Sequence, residues 1–176
     1  MLVTDREDIA ERARSLRDHG MSADEVYWHP EIGFNYRMTN LQAAIGLGQM
    51  ERVEEILAGK REVARLYQEG LAGIAGLQLP RQHPWARSVF WMYSPLVTDE
   101  FPLERDDLRR ALDQRGIDTR PFFHPLHTLP PYRGEAELPV CRDLARRGLN
   151  LPSGPDITPE EIARVCAAVA ELGERP

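Results

Sequence analysis

The sequence predicts an α/β fold in which a helical first part leads into a small strand–helix module. Strand-like and helix-like segments alternate from about residue 76 onward, separated by glycine and proline. Ahead of them a long helical pattern runs from Thr39 to Leu71, pausing at Gly59. A chain of 176 residues, 42% of them hydrophobic, fits one domain, or a small domain with part of another. At that size about two thirds of the unfolded surface can be buried. The boundary is expected near Gly59, with residues 1–57 in one domain and 58–176 in the other.

Taken in order, Met1 to Thr4 reads as a short apolar strand. Residues 5–18 then carry helical spacing, with Ile9, Ala13 and Leu16 on one face. Asp5 and Asp8 offer a cap and an acidic first turn, and Gly20 ends the helix. Residues 21–38 are irregular. Thr39 or Asn40 caps the next helix, and Gln42 completes a capping box with Thr39. Leu41, Ala44, Ile45, Leu47 and Gly48 form a close-packing face on it.

Gly70, Gly73 and Gly76 follow that helix, so they end it and are not a dinucleotide fingerprint, which must open a helix. Leu77–Leu79 is a short strand. Val89–Val97 is a second, demoted at its far end by Pro95. Asp106–Gln114 is a helix with Leu108 and Leu112 inward. Ile117–Phe123 is a strand, Pro139–Arg147 a helix, and Leu149–Leu151 a strand. Thr158-Pro159-Glu160-Glu161 starts a last helix that buries Ile162, Val165, Val169 and Leu172.

The net charge of −6, with basic residues scattered, argues against nucleic acid as a partner. No apolar run is long enough for a membrane span. Cys141 and Cys166 lie far apart with no CxxC, which reads as two buried thiols in a reducing cytoplasm. Lys60 is the sole lysine, read as a solvated helix-end residue.

Two segments carry more polar chemistry than packing needs. Gly33-Phe34-Asn35-Tyr36-Arg37-Met38-Thr39-Asn40 puts an amide and a guanidinium at a helix start, where backbone N–H groups suit an anion. The plain alternative is a capped loop with Arg37 in an ion pair. Thr119 to His127 is a proline-stiffened loop presenting Arg120, His124 and His127. Pro125 between the histidines argues against a helical metal pair. A histidine there could carry a proton or contact a ligand; the alternative is a rigid exposed loop covering the core.

Together these segments resemble the DegT/DnrJ/EryC1/StrS family of sugar aminotransferases. Met1-Leu2-Val3-Thr4-Asp5, its helix and Arg17-Asp18-His19-Gly20 resemble the stretch after that family's cofactor lysine. GFNYRMTNLQAAIGLGQ at 33–49 is its most specific signature. Trp91-Met92-Tyr93-Ser94, GIDTRPFF at 116–123 and Pro125-Leu126-His127 are most similar to the perosamine-synthase-like branch.

The resemblance implies the C-terminal part of a fold-type I transaminase: the end of the large domain plus the small α/β domain. Such enzymes are homodimers that use pyridoxal phosphate as electron sink. They move an amino group from glutamate to a nucleotide-linked 4-keto-6-deoxy sugar, GDP-linked in the perosamine branch. Residue by residue, Asn35 matches the position that reaches across the dimer to the cofactor phosphate, and Arg37 its neighbour. Arg120 and His127 match positions near the sugar nucleotide; His124, also placed there, stands where the family commonly has tyrosine.

The family's cofactor lysine precedes the first residue of this sequence, and Lys60 does not align with it. Covalent attachment of the cofactor through this chain is therefore not expected. Three readings stay open: a fragment of a full aminotransferase, one half of a split enzyme, or a non-catalytic dimerisation or binding module. The expected partners are a second copy or an N-terminal half, and the nucleotide sugar. Leu2, Ile9 and Leu41 are expected to leave apolar surface exposed, while 76–172 bury their own core.

Overall fold

The computed structural model describes residues 2–134 and 137–174. They divide into two compact units, one ending at Val53 and one beginning at Glu54.

The first unit holds two helices, α1 (Glu7–Arg17) and α2 (Asn40–Glu51), joined by a long loop. Residues 2–4 are in no strand, and Met1 lies outside the described residues. A strand needs a partner's backbone, and none pairs with this segment among the described residues. The cap of α1 is Arg6 rather than Asp5; its side chain makes no capping bond to the helix backbone but pairs with Asp8 in the first turn at 2.6 Å. At α2 the capping box forms as expected: Gln42 N–H donates to the Thr39 hydroxyl at 3.3 Å, and Thr39 N–H donates to Gln42 Oε1 at 2.8 Å.

The loop is stitched to the end of α1 by backbone bonds. His19 N–H donates to Phe34 O (2.9 Å), Phe34 N–H to Leu16 O (2.6 Å) and Tyr36 N–H to Arg17 O (2.9 Å). Gly20 and Gly33 lie back to back in this stitch; a Cβ on Gly33 would collide with the Gly20 backbone. Gly20 is the only buried residue described in this unit, so polar contacts hold it rather than a core.

The helix α3 (Val53–Gly70) starts at the last residue of the first unit and makes up the first element of the second from Glu54 on. The helical pattern breaks at Arg52, not at Gly59, which sits inside α3. Four short strands follow it among the described residues as two antiparallel ladders: β1 (Leu77–Gln78) with β2 (Leu96–Val97), and β3 (Arg120–Pro121) with β4 (Leu149–Asn150). Between them lie α4 (Arg105–Asp113) and α5 (Pro139–Arg147), and α6 (Pro159–Gly173) closes the unit.

Bridges Tyr93↔Leu151 and Leu96↔Gly148 tie β2's strand to β4's. The strands are shorter than their β-rich runs. Ile117–Phe123 contributes two residues to a ladder, and Val89–Val97 pairs only beyond Pro95 apart from the Tyr93 bridge. Proline removes a donor and the runs have a partner over only part of their length.

The core gathers Leu108 and Leu112 of α4, Leu149, and Ile162, Val165, Val169 and Leu172 of α6. Val63, Ala64, Tyr67 and Leu71 of α3 join it, so this core begins before residue 76. Tyr67 is 0% exposed, stacks on Tyr93 at 4.8 Å and donates its hydroxyl to Pro152 O at 2.7 Å. Thr158 and Glu161 cap α6 reciprocally. Cys166 is buried against this core, but Cys141 is exposed on α5, contrary to the expectation of two buried thiols.

Candidate functional site

The polar residues at 35–37 are placed by the stitch just described. Asp18 and Asn35 form an antiparallel bridge, which fixes the backbone that carries the amide. Arg37 Nη1 donates to Asp18 Oδ2 at 3.0 Å, so the ion pair allowed as the plain alternative exists. Asp18 is mostly covered and Arg37 mostly exposed. Among the described residues one of its five guanidinium N–H groups is engaged, leaving a fork for an oxyanion. An exposed amide, a guanidinium oriented by a carboxylate and a helix start together fit a phosphate group such as that of pyridoxal phosphate.

Lys60, the sole lysine, is placed otherwise than its sequence position suggests. It lies mid-helix in α3, half-buried, and donates to the Ser153 carbonyl. It is thus neither solvated nor at a helix end. Burial pushes its amine below the usual lysine range.

In the second unit the loop after β3 separates the three candidates. Arg120 stays on the ladder opposite Asn150 and pairs with Asp118 at 2.8 Å. It lines a cavity of about 600 Å³ with Arg164 and three carboxylates, Asp118, Asp156 and Glu161. That surplus of acid is unsuited to phosphate. Asn150 forms the floor nearby: its Nδ2 donates to Pro121 O at 3.2 Å, and it accepts from Ser94 Oγ at 2.7 Å.

His124 lies past the ladder in a different cleft of about 450 Å³, lined also by Arg105, Arg109, Arg142 and Arg146. His127 sits in a short 3-10 turn, Leu126–Thr128. Arg142 Nε–H donates to its Nε2 at 3.3 Å, which requires that nitrogen to be the acceptor of the ring. Thus His124 and His127 share the neighbourhood of Arg142, and Arg120 does not. Gly148 permits this turn-away: a Cβ there would strike the Phe122 ring, and Phe122 N–H bonds Gly148 O at 3.2 Å.

The four arginines were not singled out in the sequence. They come from two helices, and nothing local marks that α4 and α5 line one cleft. Among the described residues no group of three or more His, Cys, Asp or Glu is placed to hold a metal ion. Nor is any helix there long and apolar enough to cross a membrane.

The DegT/DnrJ/EryC1/StrS aminotransferase family matches residues 1–170. GDP-perosamine synthase of Caulobacter vibrioides is 42% identical over 98% of this chain and 47% of its own length. GDP-perosamine synthase of Vibrio cholerae is 37% identical over 96% and 47%. Among solved structures, S. venezuelae DesV in complex with a ketimine intermediate superposes with a TM-score of 0.87 at 35% identity, over 99% of this chain and 46% of that one. The chain spans about half the length of the curated relatives it matches. Its fold is the α/β C-terminal portion of a fold-type I, pyridoxal-phosphate-dependent sugar aminotransferase. By sequence and by fold, the chain belongs to the DegT/DnrJ/EryC1/StrS aminotransferase family.

Proposed function

We propose that this chain supplies the interface and substrate side of a nucleotide-sugar aminotransferase, carrying an amino group from glutamate to a GDP-linked 4-keto-6-deoxy sugar. The observation that supports this most is the likeness to two GDP-perosamine synthases over almost the whole chain. Pyridoxal phosphate, when bound, supplies the electron sink. Asn35 and Arg37 hold its phosphate, reaching it from a second copy of the chain. Asp18 keeps the Arg37 fork in place at 3.0 Å. His124 and His127 face the substrate. Arg120, paired to Asp118 in the acid-rich cavity, serves the substrate away from its phosphates. Residues 1–57 act as the end of the large domain and 58–176 as the small domain, in an enzyme that works in the cytoplasm.

The test is transamination by the protein that carries this chain, given pyridoxal phosphate, glutamate and a GDP-linked 4-keto-6-deoxy sugar. Amino sugar and 2-oxoglutarate are expected in equal amounts. Asn35→Ala is expected to raise the cofactor concentration for half-maximal activity about tenfold or more, the loss of one charge-assisted hydrogen bond. Borohydride treatment with the cofactor should leave Lys60 unlabelled; stoichiometric labelling there overturns this assignment.

A second reading, a non-catalytic dimerisation module, is favoured by one observation: the apolar residues of α2, such as Leu41 and Ile45, are exposed. A stable dimer with no affinity for cofactor or nucleotide sugar would select it.

A further inference from the structure

We propose that Lys60 is a positioning residue: through its amine, α3 pins the turn after β4 that walls the cavity beside Arg120, and so holds that cavity in shape for the substrate. This rests on the nucleotide-sugar reading above and adds to it a residue that acts from behind the site.

The chain leaves β4 at Asn150 and runs through Leu151-Pro152-Ser153-Gly154-Pro155-Asp156 toward Thr158, the cap of α6. This stretch is poor in means of fixing itself. Pro152 and Pro155 have no N–H to donate, and Gly154 has no side chain to anchor. Its internal backbone bond, from Ile157 N–H to Gly154 O, is long at 3.4 Å. Yet Ser153, Gly154, Asp156 and Ile157 line the cavity of about 600 Å³ together with Asp118 and Arg120. Where the turn stands therefore sets the shape of that cavity.

The turn is held from outside. Lys60 and Tyr67 lie about two helical turns apart on α3 and so share one of its faces. Tyr67 donates its hydroxyl to Pro152 O at 2.7 Å, and the Lys60 amine donates to the next carbonyl, that of Ser153. Tyr93 N–H donates to Ser153 Oγ at 3.3 Å, and Tyr93 bridges Leu151 just before it. Neither Lys60 nor Tyr67 lines the cavity itself.

Of these contacts the one from Lys60 is charge-assisted. Among the described residues its half-buried amine has no carboxylate in ion-pair reach, and its hydrogen bond goes to the Ser153 carbonyl. A surface lysine keeps its ammonium in water; this one gives up part of its hydration for a single neutral acceptor. Such a bond is roughly twice as strong as a neutral one, which suits it to fix a segment with few bonds of its own.

The experiment combines steady-state transamination with amide hydrogen exchange, on the protein that carries this chain and on Lys60→Met and Lys60→Arg. Methionine keeps the apolar stem and loses the donor; arginine keeps a charged donor. Lys60→Met is expected to raise KM for the GDP-linked 4-keto-6-deoxy sugar about tenfold and to leave kcat within about twofold. Exchange at Ser153, Gly154 and Asp156 should quicken about tenfold, with α4 and α6 unchanged. Lys60→Arg should bring KM and exchange back to within about threefold of the parent.

Unchanged exchange at the turn in Lys60→Met overturns the pin. Faster exchange in α4 and α6 as well marks a general loss of stability and overturns the positioning role. So does a fall in kcat at constant KM. Faster exchange at the turn with an unchanged KM shows that this wall does not serve the substrate; the proposal falls and the proposed function stands. A parent protein that does not transaminate sinks the proposed function and the substrate role with it, while the exchange rates still decide whether Lys60 pins the turn. Lys60→Gln, judged by the same outcomes, replaces Lys60→Met if circular dichroism shows that variant unfolded.

Discussion

The two compact units follow opposite rules of construction. Residues 54–174 bury Tyr67, Leu108, Leu112 and Leu172 around a shared core, and their short ladders rest on it. Residues 2–53 bury only a glycine, and hold shape through backbone stitches, a capping box and the Asp18–Arg37 pair. Apolar burial gives about 25 cal/mol per Å², while an exposed ion pair gives about 1 kcal/mol or less. The second unit therefore carries the stability, and the first carries unsatisfied apolar surface beside its phosphate-binding candidates.

The sharpest way to break this contrast is a pair of matched truncations followed by urea unfolding. Leu112→Ala, at a side chain 0% exposed, is expected to cost about 2–5 kcal/mol. Ile45→Ala, 63% exposed, should stay within about 0.5 kcal/mol in the dissociated chain. A large loss from Ile45→Ala that grows with protein concentration would mean that α2 is covered by a second copy.

A smaller effect separates the two capping boxes. Thr158→Ala is expected to lower global stability by about 1 kcal/mol, because α6 packs in the core. Thr39→Ala, with the same cap geometry, should instead raise hydrogen exchange in α2 only and leave the main unfolding transition in place.

The smallest expected change concerns pH. Burial pushes the Cys166 thiol from 9.0 up to about 11. The unfolded chain then loses its proton first, so stability is intact below pH 9 and falls as pH rises from 9 toward about 11. Tyr93, pushed up to about 12, acts in the same direction at higher pH. Thermal melts between pH 8 and 10.5 should show a shallower alkaline decline in Cys166→Ala. An identical slope would remove Cys166 from the account.

Much of this was legible in the residues. Thr39 with Gln42, and Thr158 with Glu161, announced two helix starts that the structure reproduces bond for bond. Leu108, Leu112, Ile162 and Leu172 read as inward from helical spacing and are inward. The strands were overlong in the sequence reading because β-rich composition sets a preference, whereas a ladder needs a partner strand. Lys60 read as solvated because its acceptor, the Ser153 carbonyl, is remote in sequence. Arg120, His124 and His127 are close along the chain, yet the turn after β3 parts Arg120 from the two histidines.

The family, the α/β class, the caps at Thr39 and Thr158 and the faces of α4 and α6 can be read from the residues alone. These depend on groups within a turn or two of each other, or on a long joint pattern no single contact can fake. That Asp18 orients Arg37, that α3 belongs to the core of the second unit, and that Arg142 meets His127 emerges only from the folded chain. Those contacts join segments far apart in the chain, and their free energy comes from burial and charge that exist only once the segments meet.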